Sequence, residues 1–331
     1  MTTPILEVKG LRKLFRMKKG WFQQPHYVHA LNGIDVSVYE GETLGIVGES
    51  GCGKSTLGKC ILRLLEPVQG EIRFQGNEIG KMNKNEMRAV RRNMQMVFQN
   101  PFETLNPKLT IGHILTEPLI SHCIPREQRQ ALLEETIEIV GMSKQHLSRY
   151  PHEFSGGQRQ RIGIARALIL RPKLIIADEP VSALDVSIQS QILNLLQDLQ
   201  EQFSLTYVFI SHDLSVVEHI ADKVAVMYLG EIIEYAEKEK LFGRPLHPYT
   251  QALLSAKPIT DPDDTREQIV LSGDLPSPSN PPKGCKFHPR CRSSMEICKV
   301  ELPKLREIEG QSVACHLYQS FAAIDPSYII G

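Results

Sequence analysis

The order of apolar and polar positions predicts short strands that alternate with helices. Strand-like runs occur at ILEVKGL, IDVSVYE and TLGIVG between residues 5 and 48, and at EIRFQG over 71–76. The spacing becomes helical from Lys54 to Leu65 and over a short basic stretch at 83–92. The intervening tract KKGWFQQPHY predicts a loop with exposed aromatic side chains.

The segment 110–150 has helical spacing and no strand-like run. Pro118 and Pro125 predict breaks in the helical pattern, and Pro151 predicts its end, because proline disrupts helical hydrogen bonding and restricts the residue before it. We therefore expect a helical subdomain, at about residues 100–165, inserted into an α/β core.

Two later apolar runs, LIIAD at 174–178 and TYVFISHD at 206–213, are flanked by helical patterns. Continuous apolar runs of this kind are typical of parallel strands covered on both faces. The stretch VAVMYLGEIIEYAE then predicts a hairpin, and the proline-rich LPSPSNPPKG predicts a linker or irregular surface segment. We place a domain boundary near residue 245, which divides the chain into 1–245 and 246–331.

Composition restricts the classes of partner. The 331 residues contain 38 Lys plus Arg and 38 Asp plus Glu, so no bulk charge draws the chain to nucleic acid. No apolar run approaches the roughly 18 residues that span a bilayer, and MTTPILEVKG lacks a signal-peptide pattern. We expect a soluble, intracellular protein whose membrane role, if any, comes through a partner.

The stretch GESGCGKST after TLGIV matches G-x-x-x-x-G-K-[ST] between a strand and a helix. Such a loop turns its backbone N–H groups onto phosphate oxygens, with the helix N-terminus adding partial positive charge. We expect Lys54 to reach the β- and γ-phosphates and Ser55 to bind Mg²⁺. A glycine-rich turn with an accidental lysine fits the spacing but not the context. The predicted nucleotide-binding residues are Gly48, Glu49, Ser50, Gly51, Cys52, Gly53, Lys54, Ser55 and Thr56.

Asp178 and Glu179 follow the LIIAD strand, at the carboxyl edge where open α/β sheets bind ligands. We expect Asp178 to hold magnesium, directly or through water, and Glu179 to orient an attacking water. The alternative is that the pair caps the next helix.

A second anion site is predicted at FSGGQ, residues 154–158, where a Ser-Gly-Gly turn opens a helix. The helical segment that precedes it should carry it away from the phosphate loop. It is therefore expected to serve a nucleotide held by another subunit.

In their order and spacing, GESGCGKST, FQNP, FSGGQ, LIIADEP, SALD and ISHD resemble the ATP-binding cassette ATPases over residues 5–260. The resemblance implies a P-loop NTPase fold: a RecA-like parallel-sheet core, an antiparallel β subdomain, an inserted helical subdomain and, here, a small Cys-rich C-terminal extension. It implies ATP and Mg²⁺ as ligands. Its further site residues are Gln99 at magnesium and the coupling interface, Ser155, Gly156, Gly157 and Gln158 of the signature, Ser182 to Asp185 at the dimer interface, and the switch residue His212. Phe15 is our candidate for stacking on adenine, and Tyr27 is the alternative.

The C-terminal HPYTQALLSA and GCKFHPRC resemble the extension of ATPases from oligopeptide, dipeptide and nickel importers. This resemblance implies ATP-driven solute import by a cassette dimer, with a non-identical ATPase as the expected second subunit. The other implied partners are two permease subunits and an extracytoplasmic binding protein, at the cytoplasmic face of the membrane. FETLNPKLTIGHI is expected to receive a coupling helix. A nickel importer, or a soluble cassette ATPase acting on nucleic acid or ribosomes, is the alternative.

Four cysteines, Cys285, Cys291, Cys298 and Cys315, cluster with spacing C-x5-C-x6-C-x16-C. Thiolates at such spacing can hold Zn²⁺ or an iron–sulfur cluster, and zinc ribbons favour C-x2-C pairs that are missing from this segment. The family resemblance implies a [4Fe–4S] cluster. Zn²⁺ with His288 or His316 as a substitute ligand, and plain buried thiols, are the alternatives.

Overall fold

The structure is a computed structural model that describes residues 3–17, 26–100, 104–256 and 268–318. Most of the loop predicted at 18–27 lies outside these residues. Tyr27 belongs instead to strand β2, where it pairs with Arg16 across an antiparallel ladder.

A large sheet forms the centre of the fold. Five of its strands are parallel to their neighbours in the order β9-β3-β8-β7-β6, as the apolar runs predict. They are β3 (Thr43–Val47), β6 (Met94–Val97), β7 (Leu174–Asp178), β8 (Thr206–Ser211) and β9 (Lys223–Tyr228). Every residue of β3, β7 and β8 is buried, because helices cover both faces. The carboxyl ends of these strands therefore share one edge.

A second, smaller sheet is antiparallel. Its order is β2-β1-β4-β5, with β1 (Leu6–Met17), β2 (His26–Val38), β4 (Gln69–Phe74) and β5 (Asn77–Glu78). Leu6, Leu11 and Leu31 from its inner face are fully buried in the same apolar cluster as Leu57. Burial of this face joins the small sheet to the first helix after the phosphate loop.

The helices between the central strands are α1 (Lys54–Ile61), α2 (Lys84–Arg91), α6 (Val186–Phe203) and α7 (Leu214–Ile220). Gly45 lets α7 approach β3, because a Cβ there would collide with the Val217 side chain. The prediction that α1 extends to Leu65 is wrong. Arg63 adopts a positive φ of 50°, and its guanidinium donates to the carbonyls of Ile79 and Met82, which fixes a turn instead.

The predicted helical region contains α3 (Ile111–Ser121), α4 (Arg126–Ile139) and α5 (Gly156–Leu168). The break predicted at Pro118 does not occur, since α3 continues through it for three residues. An internal proline removes one backbone hydrogen bond at a cost of about 3 kcal/mol. Burial of Ile114, Leu115 and Leu119 against the core offsets that cost. The other proline, Pro125, does mark a boundary and precedes α4 directly.

The predicted hairpin is confirmed, with β10 (Glu231–Glu237) antiparallel to β9. Beyond it lie α8 (Lys238–Gly243), α9 (Pro248–Ser255), α10 (Glu296–Val300), β11 (Arg306–Ile308) and β12 (Gln311–Val313). Strand β12 pairs with β10, so residues after 245 extend the central sheet. Phe287 also belongs to the main apolar cluster. The predicted boundary near residue 245 separates two segments of the sequence. In the structure these segments share one sheet and one apolar core.

No helix within the described ranges is both long and apolar enough to cross a bilayer.

Candidate functional site

The phosphate loop connects β3 to α1 at the carboxyl edge of the sheet. Gly48, Gly51 and Gly53 have positive φ values of 151°, 83° and 106°. At Gly48 and Gly53 a Cβ would also collide with the backbone oxygens of Met227 and Ala30. Conformation favours glycine at all three positions, and space also requires it at Gly48 and Gly53. The loop is folded so that α1 begins at Lys54.

Lys54 is buried inside the loop that it terminates. Its Nζ donates to the carbonyl oxygens of Gly48 at 2.7 Å and Glu49 at 3.0 Å. An ammonium group held by the loop's own carbonyls is already beside the place that a phosphate takes when the loop N–H groups bind it. Lys54 can therefore exchange these carbonyls for phosphate oxygens.

Ser55 and Asp178 meet where α1 begins and β7 ends. The Ser55 hydroxyl donates to Oδ1 of Asp178 at 2.7 Å. Burial raises the pKa of Asp178, and the Ser55 hydrogen bond offsets part of that rise. A buried carboxylate beside a hydroxyl is a donor set that suits a hard cation such as Mg²⁺. These two residues therefore fit the predicted magnesium site, where the ion would neutralise phosphate charge.

Glu179 is the centre of a polar group with Gln99 and His212. Gln99 Nε2 donates to Glu179 Oε2 at 2.8 Å, and His212 Nδ1 lies 3.2 Å from the same oxygen. Glu179 has a positive φ of 46°, and its backbone N–H donates to the Ile210 carbonyl at 2.9 Å. A non-glycine residue in this conformation is strained, which is common where a side chain must be aimed. The carboxylate is thus directed to the same edge as the phosphate loop.

One cavity of about 470 Å³ is lined by Lys54, Ser55, Gln99, Glu179 and His212, and Asp178 lines the adjoining cavity of about 740 Å³. Phe15 of β1 also lines the first cavity, with Lys13 Nζ 5.2 Å from its ring centroid. Tyr27 does not line this cavity and is 45% exposed. The residues that line the cavity are Phe15, Val28, Ala30, Ser50, Gly51, Gly53, Lys54, Ser55, Thr56, Gln99, Glu179, His212 and Pro278.

Glu49 and Cys52 belong to the loop but do not line the cavity. The Glu49 side chain is turned toward Arg290, and the Cys52 thiol is buried with its pKa raised by that burial. Cys52 therefore fills space under the loop.

The predicted signature opens helix α5. Ser155 is its N-cap: its hydroxyl accepts from the Gln158 N–H, and the Gln158 side chain accepts from the Ser155 N–H. Gly156, Gly157 and the two capping residues are absent from the linings of the 470 Å³ cavity and of the adjoining 740 Å³ cavity at Asp178. Asp185, the N-cap of α6, is also exposed and outside both linings. The signature residues thus do not line the cavities beside the phosphate loop of their own chain.

Sequence reasoning missed Val28, Ala30 and Pro278 of the cavity lining, and Tyr249 and Arg290 behind the phosphate loop. Pro278 lines the cavity, and its carbonyl accepts from the His29 N–H at 3.1 Å. This hydrogen bond joins the proline-rich segment to β2. Tyr249 and Arg290 both contact Glu49. These contacts span about two hundred positions or more, and no local spacing signals them.

The four clustered cysteines interact electrostatically. Burial raises the pKa of Cys315 to about 12, and the thiols of Cys285, Cys291 and Cys298 contribute to the rise. Residues 3–17, 26–100, 104–256 and 268–318 contain no group of three or more His, Cys, Asp or Glu side chains arranged to hold a metal ion. The two histidines considered as substitute zinc ligands form hydrogen bonds with backbone carbonyls. His288 bonds to the carbonyl of Cys285, and His316 bonds to that of Glu301.

The chain is similar to known ATP-binding transport proteins. A family model described as "ABC transporter" matches residues 31–182, and one described as "Oligopeptide/dipeptide transporter, C-terminal region" matches residues 233–298. The chain is 54% identical to the oligopeptide transport ATP-binding protein AppF of Bacillus subtilis, over 95% of this chain and 97% of that protein. It is 52% identical to the dipeptide transport ATP-binding protein DppF of Escherichia coli, over 94% of each.

Among solved structures, a dimeric post-hydrolysis state of the ATP-binding cassette MJ0796 bound to ADP and Pi has a TM-score of 0.63 and 29% identity. The match covers 70% of this chain and 98% of that one. The predicted cassette architecture is therefore confirmed.

Proposed function

The chain belongs to the ABC transporter family of ATP-binding proteins, which are ATPases, and from that premise we propose that it energises import of oligopeptides or dipeptides. The observation that carries the proposal is the joining of two parts. A complete set of phosphate-loop, Asp178, Glu179 and His212 groups shares a fold with a C-terminal region of the oligopeptide/dipeptide transporter type.

Hydrolysis at this site follows from the positions of the side chains. Lys54 and the loop N–H groups would hold the β- and γ-phosphates, and Ser55 with Asp178 would hold Mg²⁺, which offsets phosphate charge. Glu179 would orient a water for attack on the γ-phosphate and take up its proton. Gln99 and His212, which already contact that carboxylate, would sense whether the γ-phosphate is present.

The active form is proposed to be a dimer of cassettes. Ser155, Gly156 and Gly157 do not line the cavities beside the phosphate loop of their own chain, so these residues are proposed to meet an ATP held by a second cassette. The similar MJ0796 cassette is a dimer with ADP and Pi, which supports this arrangement. ATP bridging two chains could supply the roughly 5.5 kcal/mol that drives a two-state equilibrium from 1:99 to 99:1. Loss of the γ-phosphate would reopen the dimer.

The second cassette is proposed to be a non-identical ATPase, and the pair to act on two permease subunits fed by an extracytoplasmic binding protein. The chain would then lie peripherally at the cytoplasmic face of the membrane. The described part of FETLNPKLTIGHI, residues 104–114, is the proposed place for a permease coupling helix. Residues 102 and 103 of that tract lie outside the described ranges.

The cysteine cluster is proposed to hold a [4Fe–4S] cluster, with Zn²⁺ as the alternative. The support is the donor set, since four cysteines fall within residues 285–315 and their thiols interact electrostatically, although the described residues do not hold three of them in ligand geometry. Its role would be structural. Iron and sulfide analysis after anaerobic purification tests it, and a folded, colourless, iron-free protein would rule the cluster out.

The test of function is uptake by the reconstituted transporter. Proteoliposomes containing this chain, its partner cassette, the permease pair and the binding protein should accumulate labelled di- or oligopeptide on addition of ATP. Uptake of Ni²⁺ without peptide uptake would instead assign a nickel importer.

The role of Glu179 in hydrolysis is tested with Glu179→Gln, whose side chain has almost the same volume but cannot take up the proton of the attacking water. We expect unchanged ATP affinity and turnover lowered by at least about 100-fold, the usual scale for loss of a general base. Normal turnover by this variant would show that Glu179 is not the base.

A further inference from the structure

Arg290 of the C-terminal region forms an ion pair with Glu49 of the phosphate loop. Arg290 Nη1 lies 2.6 Å from Glu49 Oε2, and Nη2 lies 3.0 Å from Oε1. The Arg290 side chain is 8% exposed and that of Glu49 is 28% exposed. A two-bonded arginine–carboxylate pair that is largely withdrawn from water is strong and fixes direction as well as distance.

A second residue of the same region holds the backbone of Glu49. The Glu49 N–H donates to the hydroxyl of Tyr249 at 2.8 Å, and the Glu49 carbonyl accepts from Lys54 Nζ at 3.0 Å. Every polar group of Glu49 is thus engaged, two of them by the C-terminal region. The carbonyl also accepts from the Cys52 N–H at 3.3 Å, so the bonds from Tyr249 and Arg290 are the ones that reach Glu49 from outside the loop.

Both holding residues are themselves fixed by packing. Tyr249 and Phe287 have ring centroids 5.4 Å apart, and each packs against Tyr228, at 4.8 Å and 5.4 Å. Phe287 precedes the short turn His288–Arg290, so burial of its ring sets the position of the arginine. The packing of Phe287 therefore sets the direction from which Arg290 approaches the loop.

We propose that Arg290 and Tyr249 are positioning residues that set the affinity of the phosphate loop for ATP by holding Glu49. The loop contains glycines at positions 48, 51 and 53 with positive φ, and such a backbone has many accessible conformations. Ordering it on ligand binding would cost conformational entropy, and a loop that is already held avoids this cost. The inference rests on the proposed nucleotide site and assigns a task to the C-terminal region there.

The experiment measures ATP affinity by titration with a fluorescent ATP analogue, and KM and kcat in the assembled transporter. Arg290→Met should raise the dissociation constant and KM about tenfold, an effect of ~1.4 kcal/mol. The value of kcat should change much less, because the Arg290–Glu49 contact lowers the free energy of bound ATP and of the transition state by similar amounts. Arg290→Lys should recover part of the affinity. The matched control is Arg292→Met, at an exposed arginine two positions away, which should bind as the parent does.

Glu49→Gln tests the pair from the other side with almost no change of volume, and it serves if Arg290→Met does not fold. It should also weaken ATP binding, and the Glu49→Gln/Arg290→Met double variant should be no weaker than the worse single one, because both remove the same contact. A purely structural arginine would instead lower the melting temperature and leave KM unchanged.

Parental ATP affinity in folded Arg290→Met or in Glu49→Gln would overturn the proposal, as would fully additive losses in the double variant. Lys54→Ala in the same titration separates this failure from failure of the site. If Lys54→Ala binds and hydrolyses ATP normally, the nucleotide site is wrongly placed and the inference falls with it.

Discussion

At the residue scale, the cavity is lined both by polar side chains and by an aromatic ring. Lys54, Ser55 and Glu179 are among the polar side chains, and Phe15 supplies the ring. Phosphate contacts follow from a loop whose chemistry is local, so a nine-residue stretch predicts them. The aromatic residue cannot be chosen this way, because residues 18–25 separate Phe15 from Tyr27 in sequence. The strand pairing decides which side chain reaches the cavity.

Phe15→Ala should therefore weaken ATP binding by ~1–3 kcal/mol, the usual contribution of an aromatic ring that stacks on a base. Phe15→Tyr should retain most of the affinity, since the ring remains. Tyr27→Ala is the comparison variant and should bind ATP as the parent does, because its side chain does not line the cavity. Titration with ATP and with a triphosphate lacking the base measures both effects. Equal losses for Phe15→Ala and Tyr27→Ala would mean that the stacking residue is wrongly assigned.

At the element scale, strands were more predictable than helix ends. The strands LIIAD and TYVFIS are continuous apolar runs, and their burial on both faces leaves little freedom of assignment. Helix ends depend on contacts that are distant in sequence, such as the Arg63 guanidinium bonds that end α1. Helix α3 continues past Pro118 for a similar reason, since burial of its apolar face outweighs a local rule.

The buried histidine at the start of α9 leads to a prediction about how the stability of the protein depends on pH. His247 is the N-cap of this helix, where its Nδ1 accepts from the Tyr249 N–H, and burial lowers its pKa from 6.5 to about 3. Between these values the unfolded chain binds a proton that the folded chain does not. The free energy of unfolding should therefore fall with decreasing pH, by up to about 1.4 kcal/mol per unit from this group.

His247→Asn keeps a capping acceptor and removes the titrating ring. Urea unfolding of both proteins from pH 7 to pH 4 measures the difference. The stability of the parent should approach that of the variant as the pH falls below 6.5. Neighbouring Glu234, whose pKa burial raises, is present in both proteins, so its opposite contribution cancels. Parallel stability curves would contradict a neutral, buried His247.

At the scale of the whole molecule, one edge of the central sheet collects groups from distant parts of the chain. The parallel strand order brings Asp178, Glu179 and His212 to the phosphate loop, and this much the sequence predicts from strand ends alone. The strand pairing of β12 with β10 and the packing of Phe287 bring Arg290 there too. That second convergence depends on contacts over 241 positions, which no periodicity reveals.

The proposed dimer requires that this chain contribute halves of two ATP pockets. ATP turnover per chain, measured over a dilution series with and without the partner cassette, tests this for the parent and for Ser155→Arg. Turnover per chain should rise with chain or partner concentration, while ATP binding per chain stays constant. Ser155→Arg should bind ATP normally and complete no pocket, because its long cationic side chain blocks closure. Constant turnover at every dilution, unaffected by Ser155→Arg, would show that one chain hydrolyses ATP without a second cassette.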